Sequence, residues 1–88
     1  MADMKDDVAV PVTWTNAHTL AGIGAGLALQ MQNKGAFAML AKVSDTQPAA
    51  NTIGGFRIVP NAFMGSSLGD TVWVRAEGGT TTASIQEA

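Results

Sequence analysis

Few residues in this chain could do chemistry. His18 is the only imidazole, and Ser66-Ser67 followed by Asp70 is where hydroxyls and a carboxylate stand close in sequence. A hydroxyl nucleophile needs a base positioned beside it, so hydrolysis would require the fold to carry His18 to the serines. A lone histidine in a loop reads more simply as a solvated side chain. No cysteine or second histidine is present to complete a metal site with it. Asp6-Asp7 could attract a cation, but two adjacent acidic residues near a chain start read as solvated charge. Gly22-Ile23-Gly24-Ala25-Gly26 resembles a fragment of a dinucleotide loop. Its third glycine comes one place early and a strand pattern follows it, which rejects that reading. No catalytic set, cofactor motif or metal site emerges, and the chain is expected not to be an enzyme.

Binding is the chemistry that remains. Trp73 and Arg75 alternate with Val72 and Val74, so they share one face of a strand. Trp and Arg are the residue types enriched in interface hot spots. If this face is open it suits a protein partner. If it is the inner face, Trp73 is core and Arg75 its rim. The glycine-rich, apolar Gly22–Gly26 stretch suits either a flexible or closely packed loop or a contact with another chain. The interface candidates are therefore Trp73, Arg75, Gly22, Ile23 and Gly24.

The elements that must position these residues read as strands. Val8, Val10, Val12 and Trp14 alternate with Ala9, Pro11, Thr13 and Thr15, giving a strand over 8–15. Pro11 has no N–H for a ladder, which places that strand at an edge or a bulge; Trp14, on the valine face, is a core candidate. Residues 16–26 read as loop. Leu27, Leu29 and Met31 form the apolar face of a second strand. A three-residue Asn33-Lys34-Gly35 loop with a left-handed Gly35 predicts a hairpin pairing Met31 with Phe37, Leu29 with Met39 and Leu27 with Ala41. The third strand is then about 36–43. Ser44 to Gly55 is a polar connection, 55–60 a short strand ending at Pro60, and 61–69 another loop. A two-residue Gly78-Gly79 loop predicts a closing hairpin with Val74 opposite Ala83 and Val72 opposite Ile85. The expected fold is all-β: an antiparallel sandwich or small barrel of about six strands, one domain over residues 1–88.

Composition narrows the partners. Charged residues make up 14% of the chain, against about 25% in an ordinary soluble domain. A small domain has much surface for its volume, and a surface this poor in charge is best explained by cover from other subunits. The net charge of −2 and the scattered Lys5, Lys34, Lys42, Arg57 and Arg75 do not make a nucleic-acid surface. The acidic stretch 1–7 lacks the order of a secretory signal. The run from Leu20 to Leu29 is too short to span a bilayer, so no membrane partner is expected.

The order of motifs resembles small virion proteins of tailed bacteriophages. An alternating segment ends in Val12-Thr13-Trp14-Thr15. A strand runs into Met31-Gln32-Asn33-Lys34-Gly35. A Gly-Phe-x-Ile-x-Pro motif spans Gly55 to Pro60, and valine–aromatic–valine–Arg–Ala–x–Gly–Gly–Thr spans Val72 to Thr80. The resemblance covers nearly the whole chain, and the Gly22–Gly26 stretch departs from it. It implies a non-enzymatic β-sandwich of the virion, assembled in the host cytoplasm. Such a protein acts as an oligomeric capsid decoration or cement protein, a trimer being one form. Its partners would be copies of itself and major capsid or tail proteins. The alternative it implies is a tail- or fibre-associated module binding a receptor or carbohydrate, with Trp73 stacked on a sugar.

Overall fold

Alternation turns Leu29, Met31, Val72, Val74, Ala83 and Ile85 inward, each 1% exposed or less, and two sheets close over them. A computed structural model describes residues 4–88; residues 1–3, the start of the acidic stretch, lie outside it. The elements are β1 (Val8–Val10), β2 (Thr15–Asn16), α1 (Ala17–Ala21), β3 (Leu29–Asn33), β4 (Met39–Val43), β5 (Phe56–Ile58), β6 (Phe63–Gly65), β7 (Val72–Ala76) and β8 (Thr81–Glu87). One sheet has the order β1-β8-β3-β6 and the other β2-β7-β4-β5. Every pairing is antiparallel. The chain changes sheet at each step except β4 to β5, and this strand order is that of an eight-stranded jelly roll. The all-β sandwich expected from the sequence is therefore present, with eight strands among the described residues in place of about six.

Both expected hairpins are instead crossovers between the sheets. Val74 lies opposite Ala41 and Thr15, and Val72 opposite Val43. Ala83 lies opposite Val8 and Asn33, and Ile85 opposite Met31. β3 and β4 also belong to different sheets, so Met31 does not pair with Phe37, nor Leu29 with Met39, nor Leu27 with Ala41. Leu29, Met31, Met39, Ala41, Val72, Val74, Ala83 and Ile85 face inward as expected and Phe37 does not, while the partners differ. Two strands that meet across a sandwich interior carry the same matched apolar faces as two strands of one hairpin.

The glycines serve these crossovers in ways their dipeptides do not reveal. Gly35 is not left-handed. It is needed for space, because a Cβ there would collide with the Thr81 side chain and the Thr82 backbone nitrogen. In the other crossover the positive φ, 81°, belongs to Gly78. Gly79 lies under the Phe37 ring, which a Cβ would approach to 2.7 Å. Phe37, expected to be core, is 44% exposed.

Asn33 pins the β3–β4 crossover from inside. Its Nδ2 donates to the carbonyls of Phe37 and Ile58, both at 2.8 Å. Its Oδ1 accepts from Gly35 N and Thr81 Oγ1, both at 3.0 Å. A side-chain amide offers two donors and two lone pairs, so this fully buried group is satisfied, and it joins the β3–β4 crossover to β5 and β8.

The first expected strand, 8–15, is two strands in opposite sheets. Pro11 sits between them beyond edge strand β1, and its carbonyl accepts from Ala76 N at 2.7 Å. The loop expected over 16–26 contains α1. Asn16 is its N-cap, with Oδ1 accepting from Thr19 N at 3.1 Å, and Gly22 ends it at φ 70°, as N-cap and C′ preferences favour. Ala17, Ala21 and Ile23 join the core cluster, so the helix packs on β7 and β8 from opposite sheets. The loop expected over 61–69 contains β6, which pairs with β3 through Met31 and Met64.

Candidate interaction surfaces

The hydrolytic constellation does not assemble. His18 is 2% exposed, not solvated. Its Nε2 lies 2.7 Å from the Leu27 carbonyl, and because a carbonyl can only accept, Nε2 is the protonated nitrogen. Ser66 Oγ accepts from Leu29 N at 3.1 Å, and Asp70 Oδ2 accepts from Ser67 N at 3.0 Å. These side chains brace the 66–70 turn. Among the described residues no hydrogen bond joins His18 to Ser66, Ser67 or Asp70. Asp7 pairs with Lys34 Nζ at 2.8 Å on the surface. Among the described residues no group of three His, Cys, Asp or Glu is placed to hold a metal ion, and no helix is long and apolar enough to cross a membrane.

Trp73 and Arg75 stand on the outer face of the β2-β7-β4-β5 sheet, and the chain itself roofs that face. Register places Arg75 beside Leu40, and Leu40 beside Arg57. The 44–52 loop lies above and offers its carbonyls. Trp73 Nε1 donates to Ser44 O at 2.9 Å, Trp14 Nε1 to Thr52 O at 3.2 Å, and Arg75 Nη1 to Ala50 O at 2.7 Å. Gln47 Nε2 returns a bond to Trp14 O at 2.9 Å. The Arg75 guanidinium lies 5.9 Å from the centre of the Trp14 ring, within cation–π range. Trp14 and Leu40 are buried here, 3% and 4% exposed. Trp14 is thus buried as expected, but in a second apolar cluster outside the main core. Trp73 and Arg75 are half-buried.

The glycine-rich candidates divide. Gly22 caps α1, Ile23 is buried in the core, and Gly24 is exposed. The Gly26 carbonyl accepts from Gly69 N at 2.6 Å, tying this loop to the 66–70 turn.

Two surfaces escaped the sequence reading. The first is the β5 edge. Ile53, Phe56 and Val59 are 76%, 68% and 51% exposed, on and beside the last strand of its sheet. The second is the outer face of the other sheet, where Gln30 and Gln32 of β3 lie opposite Gln86 and Ser84 of β8, and Gln32 opposite Phe63 of β6. The alternation of Gln30 and Gln32 with Leu29 and Met31 marks them as outward. That β8 is their neighbour is not legible in the sequence, because the apolar faces of β7 and β8 match as well for a hairpin as for strands in opposite sheets.

Comparison with family models, with curated proteins and with solved structures gives no match to this chain. A jelly roll hosts many unrelated functions, so the reading of function rests on these surfaces and on the motif order.

Proposed function

We propose that this chain is a non-enzymatic structural protein of a tailed-bacteriophage virion, an oligomeric decoration or cement subunit that binds the head surface. The observation that carries the proposal is the β5 edge. Three large apolar side chains stand open beside a strand with one unpaired side, on a domain whose surface is poor in charge. An exposed apolar edge strand is a template for association, and covering it with a second copy or a shell protein removes both liabilities at once. The polar groups first suspected of chemistry are engaged in capping and bracing, which fits a structural role.

Sedimentation of the purified protein, followed by rebinding to particles stripped of it, tests this. The expected result is self-association and saturable rebinding, with Phe56→Ser weakening both on the order of thirtyfold, as for a hot-spot side chain of about 2 kcal/mol. A monomer that never rebinds would sink the proposal. A second reading, a tail- or fibre-associated module that binds carbohydrate, is favoured by the open amide face of the β1-β8-β3-β6 sheet.

A further inference from the structure

We propose that the outer face of the β1-β8-β3-β6 sheet is a binding site for a neutral saccharide, held by Gln30, Gln32 and Ser84 with Phe63 as its stacking platform. The site rests on the second reading above, and it moves the sugar platform away from Trp73. Trp73 has its indole N–H on Ser44 O and is half-buried. Phe63 is 69% exposed.

A groove of about 290 Å³ lies on this face, lined by the three glutamines Gln30, Gln32 and Gln86 together with Ser84, Phe63 and Met4. That volume is near the lower end of small-ligand pockets. Among the described residues no charged side chain lines it, so neither an anion nor a cation finds a counter-charge in them. A purely apolar ligand is disfavoured as well, because it would bury amides with no partner.

The polar groups divide into fixed and open ones. Gln86 is fixed: its Oε1 accepts from Lys5 N at 2.7 Å, and its Nε2 donates to Lys5 O at 2.9 Å and Ser84 Oγ at 3.0 Å. Gln32 is half engaged, with Nε2 donating to Asn61 O at 3.2 Å, which orients its Oε1 and leaves that oxygen open. Ser84 Oγ accepts from Gln86, so its own proton is free to donate. Among the described residues nothing bonds to the Gln30 amide, which keeps two donors and an acceptor. The face therefore presents both donors and acceptors and, among the described residues, no charge, beside an aromatic ring.

Spacing selects the ligand. Gln30 and Gln32 are two residues apart on one strand, about 7 Å, and their β8 neighbours lie about 5 Å across. A pyranose with vicinal hydroxyls spans such a patch and offers its C–H face to Phe63. A peptide shares the neutral amide chemistry, but it is recognised chiefly by main-chain pairing at a sheet edge. Most of this face overlies β8 and β3, the two central strands, whose ladders are already paired.

Side-chain NMR of the full chain, with resonances of Gln30, Gln32 and Phe63 assigned, tests the site. The probes are chitotriose, maltotriose and lactose, with sialyllactose as an anionic probe and an uncharged Ser/Thr/Val hexapeptide as a peptide probe. The expected result is a saturable shift of those three residues with at least one neutral sugar, half-complete below about 10 mM. Phe63→Ala and Gln30→Ala should each weaken it about fivefold or more, with unchanged melting curves because both side chains are exposed, while Trp73→Phe binds as the parent does. Silence with every sugar, a response to the peptide or sialyllactose alone, or shifts centred on Trp73 overturns the proposal. None of those outcomes touches particle binding through Phe56, so the site and the decoration role fail separately.

Discussion

The outer faces of the two sheets have opposite fates. On the β2-β7-β4-β5 sheet, Trp14, Trp73, Leu40 and Arg75 are covered by the 44–52 loop, and both indole N–H groups and the guanidinium donate to its carbonyls. On the β1-β8-β3-β6 sheet, Gln30 is exposed and Gln32 and Ser84 are half-buried, and all three keep open hydrogen-bonding groups. The residue types that draw attention in a sequence, Trp and Arg, attach a loop to the domain. The plain ones, Gln and Ser, keep polar groups open on the other face. Exposure depends on what the chain lays over a face, and composition alone does not report it.

The reason for the difference is chain length between strands. β4 and β5 are neighbours in one sheet, yet the connection between them runs from Ser44 to Gly55. A tight turn would have sufficed, and the surplus folds back over the outer face. Its backbone carbonyls need donors, and Trp14, Trp73 and Arg75 supply them. The other sheet has no pair of sequence-adjacent strands and so no surplus loop of this kind.

The contrast can be broken most severely at Trp14. Trp14→Ala should cost about 3–5 kcal/mol, measured by denaturant unfolding, because it removes the buried ring that the loop rests on. A loss under about 1 kcal/mol would show that the roof adds little to the fold. Trp73→Phe removes the indole N–H to Ser44 O together with part of the ring and should cost about 1 kcal/mol or more, with faster amide exchange at the 44–52 loop as the confirming signal. Unchanged exchange there would mean that Trp73 does not hold the loop. The smallest effect belongs to the open face: Gln30→Ala should move stability by less than about 0.5 kcal/mol. A larger loss in a melting experiment would reveal a structural role for that amide and erase the distinction between the two faces.

Much of the inside-outside pattern was legible. Side chains alternate along a strand, so Val72, Val74, Ala83 and Ile85 could be placed inward, and Trp73 and Arg75 on the opposite face, without knowing any partner. The edge position implied by Pro11 follows from its missing N–H in the same way. The helix start at Asn16 and its end at Gly22 also had local signals, but the small residues between them carried too weak a periodicity to outweigh the surrounding strand patterns.

Pairing was decided elsewhere. An apolar face on β7 is complementary to one on β8 whether the two strands lie side by side in a sheet or face each other across the interior, and the turn between them does not distinguish these cases. What settles it is the space available to distant groups: the Phe37 ring over Gly79, Thr81 and Thr82 against Gly35, and Asn33 drawing Phe37, Ile58 and Thr81 to one buried amide. Apart from Asn33 to Phe37, these contacts join residues far apart in the sequence. The sequence by itself determined which face of each strand is apolar, because that is a property of neighbouring residues. The tertiary structure alone decided which strands share a sheet and which outer face stays open, because hydrogen-bond partners and loop cover depend on residues tens of positions apart.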